Sequence, residues 1–198
     1  MKRYKYSDLR QTLKTGDLIL FASDAPVSRF MTLILRNPWT HVGMVIKLEA
    51  YDFVCMWEST CFSTTRDVES GKYVQGVQVA SLRDRVTRHR GDVGVRFLQG
   101  VTIDGHDMDK LLNLKRQIGD RPFENDVTEF IAPLLWGQAN ENLNALFNAE
   151  LIAEAYQALN VFDSNVASNS FLPSDFTGNN LPFVEGYLSE IHQVIPDV

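Results

Sequence analysis

The sequence of 198 residues lacks several features that would assign it to a functional class. It has two cysteines, Cys55 and Cys61, too few for a disulfide framework and without the paired spacing of a zinc site. No apolar run approaches the roughly 18 residues of a membrane span, and no signal-peptide core follows the basic first residues. We therefore expect a soluble protein of the cytoplasm or another reducing compartment, with no signal peptide and no transmembrane segment.

Basic residues are also in the minority. The chain has 19 Lys and Arg against 25 Asp and Glu, a formal charge of −6, whereas nucleic-acid binding usually needs a net basic face. The densest basic run, at 83–90, includes Asp84 and predicts a solvated helix face. His89, His106 and His192 lie in unrelated segments, without metal-ligand spacing. We expect no nucleic-acid partner, no metal and no cofactor.

What is present is the composition of a globular protein. With 44% hydrophobic and 22% charged residues, the chain can bury a full core. There is no internal repeat and no low-complexity tract. We expect a single domain over 1–198, with a core at about 15–176 and a C-terminal extension at about 177–198.

Hydrophobic periodicity predicts strands clustered between helices, which is the pattern of an α+β domain. Apolar or alternating runs predict strands at 17–21, 41–48, 53–58, 76–80 and 92–98. Helical spacing and end signals predict helices at 7–14, 26–36, 81–90, 107–119, 127–136, 143–159 and 185–194.

Two polar residues stand at strand ends. His41 opens an apolar strand, and Glu58 closes the next strand 17 residues on. If the two strands form a hairpin, the side chains can lie side by side, as a general base and the carboxylate that fixes its tautomer. A hydrogen-bonded structural histidine is the alternative, and spacing alone does not choose between them.

A series of motifs then occurs in a recognisable order. They are TGDLILF at 15–21, NPWTHVGMVI at 37–46, WES at 57–59, GVQV at 76–79, VGVRFL at 93–98, ELIAEAY at 150–156 and LPSD at 172–175. This order resembles the circularly permuted branch of the NlpC-type papain-like superfamily, the YiiX-like proteins, which are related to the lecithin retinol acyltransferase family. The resemblance spans about 15–176.

The resemblance implies a permuted papain-like fold, in which an antiparallel sheet packs against helices and the helix that carries the nucleophile follows the sheet. It assigns His41 as general base and Glu58 as its orienting residue. The nucleophilic cysteine, expected at the start of the helix, is absent. Spacing from Tyr156 puts the slot at Asn148, whereas the pattern of the acyltransferase relatives puts it at Ala149.

Other matched residues have structural interpretations. Asp17 matches a Gly-Asp pair and is expected to shape the turn before the first strand of the core. Glu150, beside the slot, is expected in a first helical turn, where it would interact favourably with the helix dipole. Cys55 has the opposite strand parity to Glu58, and both Cys55 and Cys61 are interpreted as structural thiols.

Without a thiolate the chain should be nearly silent as a hydrolase. We expect an inactive protein that binds a peptide, acyl or lipid ligand, or a protein partner, in its cleft. The spacing to Asn148 favours natural loss of the cysteine. One alternative is an active hydrolase or acyltransferase of amide, ester or thioester bonds, seen here with its cysteine replaced. Another is a structural or virion-associated scaffold.

Overall fold

The computed structural model describes residues 1–23, 37–60, 63–119 and 139–197. The helices predicted at 26–36 and 127–136, and the thiol of Cys61, lie outside the described residues.

Within those ranges the chain forms nine strands and four α-helices. The strands are β1 (Arg3–Lys5), β2 (Leu18–Ser23), β3 (His41–Leu48), β4 (Phe53–Thr60), β5 (Gly76–Ser81), β6 (Gly91–Arg96), β7 (Leu98–Gln99), β8 (Tyr187–Leu188) and β9 (His192–Ile195). The helices are α1 (Tyr6–Thr12), α2 (Leu82–Arg88), α3 (Gly105–Gly119) and α4 (Ala139–Ala158).

Seven of these strands form one sheet in the order β1-β9-β6-β2-β3-β4-β5. Its pairs are antiparallel except for β1 with β9, which run parallel. β7 and β8 form a separate two-stranded pair. The α+β class predicted from the sequence is therefore confirmed. Both terminal segments supply strands to the large sheet.

The two faces of the sheet are covered by different helices, because strand side chains alternate between faces. One core contains Val42, Met44 and Trp57 with Ile152 and Tyr156 of α4. The other core joins the opposite face of the same strands to apolar side chains of α1 and α2. None of the helices in the described ranges is long and apolar enough to cross a membrane.

Two element predictions need correction. The predicted helix at 185–194 is wrong, because the structure has β8 and β9 there. β9 is paired on both sides, antiparallel to β6 and parallel to β1, and Val194 is buried. Such pairing overrides local helical preference. The long helix predicted from residue 143 begins instead at Ala139, which matters for the site.

Candidate functional site

His41 is the first residue of β3. It lies at the open end of the hairpin that β3 forms with β4, away from the turn that joins the two strands. Met44 pairs with Trp57 in this hairpin. Continuing that register by one residue brings Gly43 opposite Glu58, so that His41 and Glu58 are diagonal neighbours on one face. A Cβ on Gly43 would lie 2.8 Å from the Met56 side chain. The close packing of Met56 therefore requires a glycine beside the pair.

The predicted pair is in contact. His41 Nε2 lies 2.6 Å from Glu58 Oε2, a distance typical of a charge-assisted hydrogen bond. Glu58 is fully buried, and the His41 side chain is only 16% exposed. The carboxylate therefore fixes the orientation of the imidazole, whatever role the ring has.

Asn148, on α4, contacts the other ring nitrogen. Its Nδ2 lies 2.7 Å from His41 Nδ1. An amide NH₂ can only donate, so in this geometry Nδ1 accepts, and the ring nitrogen that donates to Glu58 is Nε2. Asn148 is fully buried. Its Oδ1 has no hydrogen-bond partner among the described residues.

Ala149, the alternative slot, is buried in the apolar core beside Ile152. Its side chain has no polar atom to offer His41. The structure therefore brings together His41, Glu58 and Asn148 and leaves Ala149 outside this hydrogen-bonded set.

The position of Asn148 along α4 differs from the expectation. The residue lies nine positions after Ala139, the first helical residue, so it belongs to the helix interior and not to the helix start. Only the first four N–H groups of a helix lack an intrahelical partner. The backbone N–H at 148 is thus part of the helical ladder. Glu150 is not in a first turn either, so the dipole role expected for it is wrong.

Glu58 has two further partners that sequence reasoning missed. Arg85 Nη2 donates to Glu58 Oε2 at 2.9 Å, and Arg85 Nε lies 2.7 Å from Oε1 without the alignment of a hydrogen bond. Gln78 Nε2 donates to Oε1 at 2.7 Å. Both Arg85 and Gln78 are buried.

The expectation that 83–90 forms a solvated helix face is therefore wrong for Arg85. Arg83 and Arg88 are exposed, but Arg85 lies on the inner side of α2 with Leu82 and Val86. Helical spacing from these apolar neighbours was the signal that could have revealed a buried arginine.

The surroundings of Glu58 strongly favour the ionised form of its carboxyl group. Burial alone would raise the pKa of this carboxyl, but Arg85 and His41 outweigh it and lower the pKa from 4.5 to about 2. Glu58 is therefore ionised throughout the physiological range, although it has no exposed surface.

The segment that leads into His41 is anchored to the C-terminal part of the chain. Asn37 accepts a hydrogen bond from Trp39 N at 3.0 Å and donates to Thr177 Oγ1 at 2.8 Å. Arg96, itself buried, donates to the carbonyl of Phe176 at 2.6 Å. Residues far apart in sequence thus fix the entry to β3.

Asp17 occupies the turn for which it was predicted. Its two carboxylate oxygens accept from the backbone N–H groups of Lys14 and Leu98, each at 2.8 Å. Burial nevertheless raises its pKa to about 6. The thiol of Cys55 is buried as well, and burial raises its pKa to about 11.

The remaining histidines lie elsewhere. His89 contacts the carbonyl of Ala22, and His192 accepts from Lys2 N. His106 is exposed on α3. Across residues 1–23, 37–60, 63–119 and 139–197, no group of three or more His, Cys, Asp and Glu side chains could hold a metal ion.

A cavity of about 410 Å³ lies at the other end of β3, where Lys47 lines it with Lys14, Glu49 and Asp104. Lys47 is six residues from His41, or about 20 Å along a strand. The cavity and the His41 cluster are therefore separate features.

Comparisons with known proteins do not assign this chain to a family. No protein-family model matches the sequence, and no curated protein matches it. Among solved structures, the crystal structure of metalloprotein YiiX from Escherichia coli O157:H7 is similar, with 18% sequence identity and a TM-score of 0.49. The match covers 93% of this chain and 97% of that chain. Identity at this level does not tell which residues act.

Proposed function

We propose that this chain is a catalytically inactive papain-like protein that retains His41 and Glu58 and functions by binding. The observation that carries the proposal is the 2.7 Å contact between Asn148 Nδ2 and His41 Nδ1. This contact supports the proposal that a carboxamide takes the place at which a thiol hydrolase of this arrangement would hold its sulfur.

The chemistry at that position argues against turnover. A thiol nucleophile gives its proton to an imidazole and attacks as thiolate. The amide nitrogen of Asn148 has its lone pair delocalised into the carbonyl, so it is a poor nucleophile. In a serine protease, which likewise pairs its nucleophile with a histidine base, loss of the nucleophile lowers turnover on the order of a million-fold.

The backbone N–H of residue 148 in α4 also supports the proposal. A tetrahedral intermediate needs hydrogen-bond donors aimed at its oxyanion. A backbone N–H at a helix start is free to serve in this way, but the N–H at 148 lies inside α4. Among the residues that the structure describes, position 148 therefore offers neither a nucleophile nor this potential oxyanion donor.

For the ligand we propose a peptide, an acyl or lipid chain, or a protein partner. A structural scaffold is the second candidate, and one observation favours it. Glu58 and Asn148 are fully buried, and both ring nitrogens of His41 have partners within the chain. A scaffold needs no more than a histidine whose two ring nitrogens are both hydrogen-bonded within the chain.

Turnover by the wild-type chain tests the proposal. The substrates are 4-nitrophenyl acetate as an ester, alanine 4-nitroanilide as an amide and octanoyl-coenzyme A as a thioester. We expect rates equal to those of His41→Ala, with His106→Ala as the matched control because His106 is exposed on α3. Hydrolysis that is lost in His41→Ala and kept in His106→Ala would overturn the proposal.

Binding and scaffolding are separated by a titration with an octanoylated tripeptide, followed by NMR. Saturable shifts of His41 and Trp39 support a binding protein. Unchanged spectra at these residues support the scaffold.

A further inference from the structure

Arg85 is a buried cation at the centre of the cluster. Its guanidinium contacts both oxygens of Glu58, at 2.9 and 2.7 Å. Its charged carbon lies 4.9 Å from the centre of the Phe21 ring, and that ring lies 5.8 Å from the imidazole of His41. Arg85 therefore touches the carboxylate that orients His41 and the aromatic ring that packs beside it.

The position and the charge of Arg85 also give it an electrostatic effect on the Glu58–His41 pair. A carboxylate beside a histidine ordinarily stabilises the imidazolium form. Arg85 supplies a positive charge on the same carboxylate, which offsets that effect. With Arg85 present, Glu58 can orient the ring and add little net negative charge to its surroundings.

The other titratable groups near His41 do not provide this compensation. On β4 the facing group is Glu58, and on α2 it is Arg85. His89, just after α2, packs on Phe21 with 4.9 Å between ring centres and contacts the carbonyl of Ala22. Asn148, from α4, is uncharged. Within the described part of the chain, Arg85 is thus the permanent cation of the cluster.

We propose that Arg85 is a positioning residue that keeps His41 neutral, with the proton on Nε2 and the Nδ1 lone pair accepting from Asn148. This inference rests on the proposed function, since a neutral imidazole facing an amide belongs to a site that forms no thiolate–imidazolium pair. In this arrangement the Asn148 NH₂ donates to an unprotonated Nδ1.

The test is ¹⁵N NMR of the histidine side chains at pH 7 in three variants. Arg85→Gln removes the charge and keeps donors, Arg85→Lys keeps the charge, and Arg83→Met is the matched control on the exposed face of α2. His41→Ala assigns the His41 signal among the four histidines.

We expect Nδ1 of His41 to be unprotonated in the wild type, in Arg85→Lys and in Arg83→Met, and largely protonated in Arg85→Gln. An unprotonated Nδ1 in Arg85→Gln would overturn the proposal, because a merely structural Arg85 would not change this signal. If Arg85→Gln does not fold, Arg85→Lys decides: a protonated Nδ1 there contradicts the role of charge. Hydrolysis by the wild-type chain is a separate result, so either proposal can fail alone.

Discussion

Asn148 Nδ2 lies 2.7 Å from His41 Nδ1 and donates a hydrogen bond to it. A thiol in its neutral form would also present a donor to this nitrogen. Under the proposed function, an amide at this position keeps a hydrogen bond to the ring but supplies no thiol. A buried imidazole nitrogen left without any donor would cost about 1–3 kcal/mol, which gives a physical reason for a polar residue at this position.

Replacing Glu58 tests the buried ion pair. Glu58→Gln leaves Arg85 as a buried cation without its counter-ion, and breaking such a pair costs about 3–5 kcal/mol. We expect a loss of that size in the free energy of unfolding, measured by urea denaturation. The matched control is Glu69→Gln, because Glu69 is 62% exposed and paired with Lys115 on the surface. Its expected cost is below about 1 kcal/mol, and equal costs for the two variants would contradict the account.

Acid should weaken the same pair. The pKa of Glu58 is lowered from 4.5 to about 2, since Arg85 and His41 outweigh the effect of burial. A carboxyl with a depressed folded-state pKa stabilises the protein above pH 4.5 and loses this contribution as the pH falls towards 2. The contribution is on the order of 3 kcal/mol. In urea denaturation the stability difference between wild type and Glu58→Gln should shrink across this window. A constant difference from pH 5 to pH 2 would show that Glu58 does not titrate this way.

Asp17 should act in the opposite direction. Burial raises its pKa from 3.8 to about 6, so the folded state holds this proton more tightly than the unfolded state. The free energy of unfolding should therefore fall as the pH rises from about 4 to 6, by on the order of 3 kcal/mol. Asp17→Asn should lack this fall, whereas Asp109→Asn, at an exposed position of α3, should retain it. Parallel pH profiles for Asp17→Asn and wild type would contradict the prediction.

The hairpin that unites His41 and Glu58 was accessible to sequence reasoning. Both strands are short and apolar, the connection between them is short, and strand parity determines which side chains share a face. The spacing from Tyr156 predicts position 148 as the nucleophile slot, and the structure shows that Asn148 contacts His41; its role as the slot stays a prediction. The Tyr156 hydroxyl donates to the carbonyl of Gly16 at 2.7 Å, which fixes α4 against the turn before β2.

The remaining features depend on contacts between segments that are far apart in the sequence. Helical spacing could indicate that Arg85 is buried, but its pairing with Glu58 follows only from the packing of α2 on the sheet. β9 is paired on both sides, with β1 and with β6, and neither partner is close to it in the sequence. The start of α4 at Ala139 removes a helix terminus from the site, although the motif around Glu150 predicts one there.

The most direct test of the central claim is the thiol of Asn148→Cys, alkylated with iodoacetamide between pH 5 and 9 and located by peptide mass spectrometry. Ala149→Cys is the neighbouring control. Since position 148 lies within α4 and is buried, we predict slow alkylation that begins only near or above the ordinary thiol pKa of about 8.5. We also predict no change in that rate on His41→Ala. Rapid alkylation of Cys at 148 near pH 6, abolished by His41→Ala and accompanied by ester or amide turnover, would contradict the account.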